Sequence, residues 1–249
     1  MSQKRILSGD EAVAYAALAA SVRLGAGYPG TPSTEILETF SKIGGSAEWA
    51  PNEKVALEVG IGVSFGGARS IVTMKHVGLN VAADPLFTLT YTGVNGGLVI
   101  VSADDPGLAS SQNEQDNRNY AKAAKMLMLE PSDSQEAYDF TIKAFELSEK
   151  FNTPVLLRMT TRVCHSQTIV HLHGEANPFE QKPYVKNIQK NVMVPAFAKK
   201  AHVRLENTMK ELAAYAETSD FEQAKAGSKE LGVICSGISY QHVCEAAPE

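Results

Sequence analysis

Along the first 160 residues, apolar positions alternate between short continuous runs and helical spacing. Ser8 with Glu11 forms a capping-box pattern that predicts a helix over 8–24, with Gly25 as its stop. Ala26–Tyr28 reads as extended. Ser33 or Thr34 is placed to cap a helix running to Ile43, and Ala47–Ala50 reads as a strand. Asn52 is placed to cap a helix over Glu53–Ala68, in which Gly60, Gly62, Gly66 and Gly67 make a small-residue face suited to close packing. Strands follow at Ser70–Met74, Gly97–Ala103, Met126–Leu129 and Pro154–Met159. Between them come helices at Leu79–Tyr91, Asn119–Lys125 and Ser134–Phe151, and a polar loop over Asp104–Arg118. This rhythm predicts an α/β fold with a doubly wound, mostly parallel sheet, whose ligands lie outside the carboxyl ends of the strands.

After Gln167 the texture changes. Residues 170–199 carry Pro178, Pro183 and Pro195 without a sustained period and read as a long connection. His171 and His173 fall in it and read as solvated histidines without acidic partners nearby. Residues 200–227 are charged and helical, with Leu205, Met209, Leu212 and Tyr215 on one stripe. Leu231–Gly237 resembles the first strand and glycine turn of a second α/β unit. The expected division is therefore 1–170 for a complete domain, 171–229 for an irregular connection and linker helix, and 230–249 for the start of a second unit cut short.

Composition narrows the function classes. With 23 basic against 28 acidic side chains the formal charge is −5, which offers no broad footprint for nucleic acid. No apolar run is long enough to span a membrane. Cys164, Cys235 and Cys244 are too few for a disulfide framework and fit a reducing, cytoplasmic setting. There is no Walker A segment, no CxxC spacing and no metal-ligand set. Of 19 glycines, 15 lie at or before Gly107, so tight turns and the candidate chemistry concentrate in that half.

Four segments stand out. In GYPGTPS, Gly30 leaves the backbone open to a ligand and the following helix start suits a carboxylate; an ordinary strand-to-helix turn accounts for it equally. Glu53 opens an otherwise apolar helix, where a plain dipole interaction is worth about 0.3–1 kcal/mol. MKHVGLN sets Lys75, His76 and Asn80 at the ligand edge of a buried strand. DDPGLASSQNEQDNR is either a solvated loop or, from its place after the most apolar strand, part of a ligand site.

Taken in order, GYPGTPS, NEKVALEVGIG, TMKHVGLNVAADPL and DDPGLASSQNEQDNR closely resemble the amino-terminal part of indolepyruvate ferredoxin oxidoreductase alpha subunits. These belong to the thiamine-diphosphate-dependent 2-oxoacid:ferredoxin oxidoreductase superfamily. The resemblance implies a pyrimidine-binding domain in which Glu53 is catalytic. Its carboxyl group would hydrogen-bond pyrimidine N1′ and favour the 4′-imino tautomer that deprotonates the thiazolium C2. It also implies cofactor contacts from Pro29, Gly30, Glu53, His76 and Gly78, and substrate contacts from Thr31, His76, Ser111, Gln112 and Asn113. Pyruvate-specific relatives carry an arginine where this chain has Asp104 and Asp105, so an aryl pyruvate is the expected substrate. The implied partners are a beta/gamma-type subunit, ferredoxin and coenzyme A, in a dimer or higher oligomer, with no nucleic acid and no membrane. Magnesium, diphosphate and iron–sulfur sites are expected elsewhere in the enzyme, because no GDG…N segment or cysteine run is present here. A non-catalytic assembly module and a subunit of a non-oxidative 2-oxoacid decarboxylase are the alternative readings.

Overall fold

A computed structural model describes residues 3–173, 183–221, 225, 227 and 230–246. In chain order the elements begin β1 (Gln3–Ser8), α1 (Gly9–Ala19), β2 (Leu24–Gly27), α2 (Thr34–Lys42), β3 (Ala47–Trp49) and α3 (Glu53–Phe65). They continue β4 (Ser70–Lys75), α4 (His76–Val81), α5 (Ala83–Thr92), β5 (Leu98–Asp104), α6 (Arg118–Ala124), β6 (Leu127–Leu129) and α7 (Ser134–Phe151). The last are β7 (Val155–Thr160), α8 (Thr161–His165), β8 (Gln167–Leu172), α9 (Ile188–Asn191), α10 (Pro195–Ala216) and α11 (Ile238–Ala246).

Six strands form one sheet in the order β3-β2-β4-β5-β7-β6, and every pairing in it is parallel. β5 and β7 are buried along their whole length, which is why they read as mostly apolar runs. The edge strands β3 and β6 have three residues each and offer little free backbone. One face is covered by α1, α2 and α7, through Ala12, Ala16, Phe40, Tyr138 and Phe145. The other is covered by α3, α4, α5 and α6, through Leu57, Leu79, Leu86 and Ala121. The expected doubly wound α/β sheet is the observed one.

Several boundaries differ for identifiable reasons. The capping box forms, with Ser8 Oγ accepting from the Glu11 amide and the Glu11 carboxylate from the Ser8 amide, yet α1 ends at Ala19. Gly25, expected to stop that helix, lies inside β2. The helix expected over Leu79–Tyr91 is two helices meeting at Ala82, because Pro85 has no amide to donate to Val81 and its ring crowds that carbonyl. Neither Ser33 nor Thr34 caps α2; both hydroxyls turn back to the preceding glycine. Gly60 lies against Val72 of β4, as the small-residue face of α3 requires.

The last third departs furthest. The expected irregular connection opens with an ordered strand, β8, antiparallel to β1 in a separate two-stranded sheet. His173 is not without an acidic neighbour: its Nε2 lies 2.6 Å from Asp139 of α7. Pro178 and its neighbours lie outside the described residues. α10 starts at Pro195 and ends at Ala216, so the linker helix expected over 200–227 is shifted toward the amino terminus. Residues 231–236, read as a strand, make no ladder among the described residues, and Ile234 is fully exposed. A strand needs a partner edge, and the apolar run alone does not supply one. Among the described residues no helix is long and apolar enough to cross a membrane.

Candidate functional site

β2 and β4 are neighbours, but their outgoing connections diverge. β2 leads through α2 to β3 on one side, and β4 leads through α4 and α5 to β5 on the other. Open parallel sheets bind ligands at such a switch point, beyond the carboxyl ends of the strands. Here that edge is built from the turn after β2, the start of α3, the β4–α4 junction and the loop after β5.

The turn after β2 is locked around Gly30. Its amide donates to Thr34 Oγ1 at 2.9 Å, and its carbonyl accepts from Ser33 Oγ at 2.9 Å. The Gly30 amide is therefore not a free donor for a ligand. Its missing side chain instead makes room for Lys75, whose Cβ would lie 3.2 Å from a Cβ added there. Pro29 and Thr31 sit exposed on the same turn.

Glu53 is the first residue of α3, set there by Asn52, whose side chain accepts from the Val55 amide at 3.0 Å. The Glu53 side chain packs against Gly78 of α4. A Cβ on Gly78 would come within 2.6 Å of both Cγ and Oε1 of Glu53, so only glycine permits this approach. The two motifs thus meet at a half-buried carboxyl group.

His76, at the start of α4, is fully buried. Its Nε2 lies 3.0 Å from the Asn113 carbonyl. A carbonyl only accepts, so Nε2 carries the proton and Nδ1 is a bare acceptor, buried and without a hydrogen-bond partner among the described residues. The His76 carbonyl accepts from Gln115 Nε2 at 2.8 Å and Asn117 Nδ2 at 3.1 Å. Asn117, itself fully buried, also donates to Ser102 Oγ and, from its amide, to Asp104. Asn80 and Tyr120 complete the net, the tyrosine donating to Asn80 Oδ1 at 2.6 Å.

The loop after β5 is organised by two aspartates. Burial pushes the Asp104 carboxyl above its ordinary range, against the opposing pull of Arg158, which donates to it at 2.8 Å. Arg158 also pairs with Glu130. Burial acts in the same direction on Asp105. There it is outweighed by hydrogen bonds from Ser111 Oγ (2.5 Å), the Ser110 amide (2.8 Å) and Thr161 Oγ1 (2.7 Å), so Asp105 titrates well below the usual carboxylate range. The Ser111 hydroxyl proton is thus engaged inside the loop. Asn113 faces His76 with its carbonyl, and Gln112 is exposed.

The expected residues are therefore brought to one edge, with Glu53 on Gly78, Gly30 on Lys75 and His76 on Asn113. Gln115, Asn117 and Arg158, which hold the site together, were not singled out from the sequence. Two of them lie in a polar run where nothing in the spacing marks one amide over another, and Arg158 is a lone charge in an apolar strand. That lone charge is the one signal that pointed to a buried partner.

A parallel sheet with a carboxyl group, an imidazole and a glycine contact gathered at its switch point has the arrangement in which open α/β sheets bind ligands. Residues 15–230 match the family described as "Pyruvate flavodoxin/ferredoxin oxidoreductase, thiamine diP-bdg", and the chain belongs to this thiamine-diphosphate-binding family. It is 43% identical over 98% of its length to the indolepyruvate oxidoreductase subunit IorA of Archaeoglobus fulgidus, covering 41% of that protein. It is 45% identical, again over 98%, to the subunit of the same name from Methanothermobacter thermautotrophicus, covering 40% of it. The chain thus spans about two fifths of these relatives. A 2-oxoglutarate:ferredoxin oxidoreductase from Magnetococcus marinus, solved with 2-oxoglutarate, coenzyme A and succinyl-CoA bound, shares the fold. The TM-score is 0.70 at 17% identity, covering 85% of this chain and 45% of that one.

Proposed function

We propose that the chain is the pyrimidine-binding portion of a thiamine-diphosphate-dependent 2-oxoacid:ferredoxin oxidoreductase that acts on aryl pyruvates, indolepyruvate foremost. The observation that carries this reading is Glu53, held at the start of α3 against Gly78 beside the switch point of the sheet. Family membership and the names of the IorA relatives support it. Residues 1–170 form the binding unit in this reading, 171–229 the tether, and 230–249 the opening of a following unit.

The residues present fit the cofactor. Glu53 offers a carboxyl group at helix depth, Gly78 leaves a cradle beside it, and His76 Nδ1 presents an acceptor that nothing in the described protein uses. Thiamine diphosphate, when bound, supplies the nucleophilic carbon and electron sink that 2-oxoacid decarboxylation needs. Glu53 holds a proton at the pyrimidine N1′, and Pro29 and Gly30 shape the turn beside it. Thr31, His76, Ser111, Gln112 and Asn113 line the substrate side. In the whole enzyme a partner subunit, magnesium and iron–sulfur clusters complete the path from aryl pyruvate and coenzyme A to acyl-CoA, carbon dioxide and reduced ferredoxin, in the cytoplasm and as an oligomer.

Glu53→Gln in the assembled enzyme tests this. The expected result is a kcat lower by about 10²–10⁴-fold with an unchanged melting curve. Turnover is followed as anaerobic reduction of ferredoxin or a viologen dye with a panel of 2-oxoacids. Near-wild-type turnover of the variant overturns the assignment.

A further inference from the structure

Lys75 ends β4 between two parts of the site and has no role in the reading above. Its stem lies against Gly30, the residue before Thr31, and its Nζ donates to the Ser110 carbonyl at 2.7 Å. It therefore bridges the turn after β2 and the loop after β5. An ammonium group has three donors, and one is engaged.

The acids of the loop after β5 all have partners of their own. Asp104 is paired with Arg158, and Asp116 with Arg118. Asp105 accepts from Ser110, Ser111 and Thr161, and Glu114 accepts from the Gly107 amide. Lys54, across the site, is paired with Asp84. Among the described residues no carboxylate lies within ion-pair distance of Lys75. The loop carries acids enough to neutralise it and directs each of them elsewhere.

We propose that Lys75 is the cation that recognises the carboxylate of the 2-oxoacid substrate. This rests on the function proposed above. The site needs one positive charge for one carboxylate. Of the other cations here, Arg158 is buried and engaged by Asp104 and Glu130, Arg118 is paired with Asp116, and Lys54 with Asp84. A half-buried ammonium with two free donors, at the rim rather than beneath it, meets a small anion without first breaking an ion pair.

The test uses the assembled enzyme and two competitive inhibitors of one shape, an aryl propionate and its uncharged amide. Wild type should favour the carboxylate by about ten- to hundredfold, the range of a charged hydrogen bond. Lys75→Met and Lys75→Gln should bring that ratio close to one and raise KM for the 2-oxoacid, leaving KM for coenzyme A unchanged. A merely structural lysine would weaken both inhibitors alike and preserve their ratio. A preserved ratio in both variants, or a change confined to coenzyme A, overturns the assignment of Lys75 alone. If the wild-type enzyme turns over no 2-oxoacid, the underlying function falls, and Lys75 with it.

Discussion

Side chains of one type take opposite roles here according to what surrounds them. Glu53 is half-buried at a helix start with glycine beside it, whereas Asp10, in the first turn of α1, is fully buried and neither of its oxygens has an N–H or O–H donor among the described residues. Burial pushes the Asp10 carboxyl well above its ordinary range, with Glu35 and Glu11 adding repulsion and the weak thiol donor of Cys164 offsetting part of it. A folded-state pKa raised above the unfolded value means that folding takes up a proton. Stability is therefore greatest below the unfolded carboxyl pKa and declines as pH rises toward the folded one. Asp10→Asn removes this dependence. Melting curves of the full chain should coincide near pH 4 and separate at neutral pH, with the variant higher by roughly 2–4 °C for each 1 kcal/mol regained. Parallel melting curves across that range would show that Asp10 is not held neutral.

Among the elements, β7 carries an unusual burden, because its Arg158 is the one charged residue in a fully buried strand. That arginine ties β7 to Asp104 at the end of β5 and to Glu130 just after β6, so one side chain fastens three strand ends beneath the site. Arg158→Met leaves the buried Asp104 and the partly buried Glu130 without their ion-pair partner, a change that typically costs about 3–5 kcal/mol. Urea unfolding should show this loss at pH 8 and a smaller one at pH 5, where an orphaned carboxyl group takes up a proton. A loss independent of pH would mean that the arginine acts through packing alone. Arg204 of α10 does comparable work on the far side. It donates to the last carbonyls of α5, at Thr90 and Tyr91, and to the Asn152 carbonyl at the end of α7.

For the molecule as a whole, the unexpected feature is the clasp formed by β1 and β8, which joins residues more than 150 positions apart and closes the domain behind α1 and α7. Leu7 and Val170 are its buried residues, while Ile6 and Ile169 face outward. Leu7→Ala should destabilise the chain by about 2 kcal/mol, the low end for a buried leucine, since a two-stranded sheet relaxes more readily than a central one. The measurement is the urea midpoint of the full chain, and a shift below about 0.5 kcal/mol would show that the clasp contributes little.

By itself the sequence determined the elements whose signals are local. Predominantly apolar runs marked β4, β5 and β7, because a strand buried on both faces needs few polar positions. The Ser8–Glu11 cap marked the start of α1, and the order of strands and helices marked the parallel sheet. Four ordered motifs also pointed to the family and to Glu53, Thr31 and His76 as candidate site residues. Tertiary structure alone decided what depends on distant partners. The β1–β8 clasp is formed by two weak, half-exposed strands that mean nothing until paired. Gly78 is required by a glutamate 25 positions away, and Gln115 and Asn117 are set apart from the other polar residues of their run only by the His76 carbonyl. The same holds for Lys75. Its charge is plain in the sequence, but its lack of an acidic partner emerges only when Asp104, Asp105 and Asp116 are seen turned to other donors. Periodicity records which face of an element is buried, whereas hydrogen bonds and ion pairs depend on which elements the fold brings together.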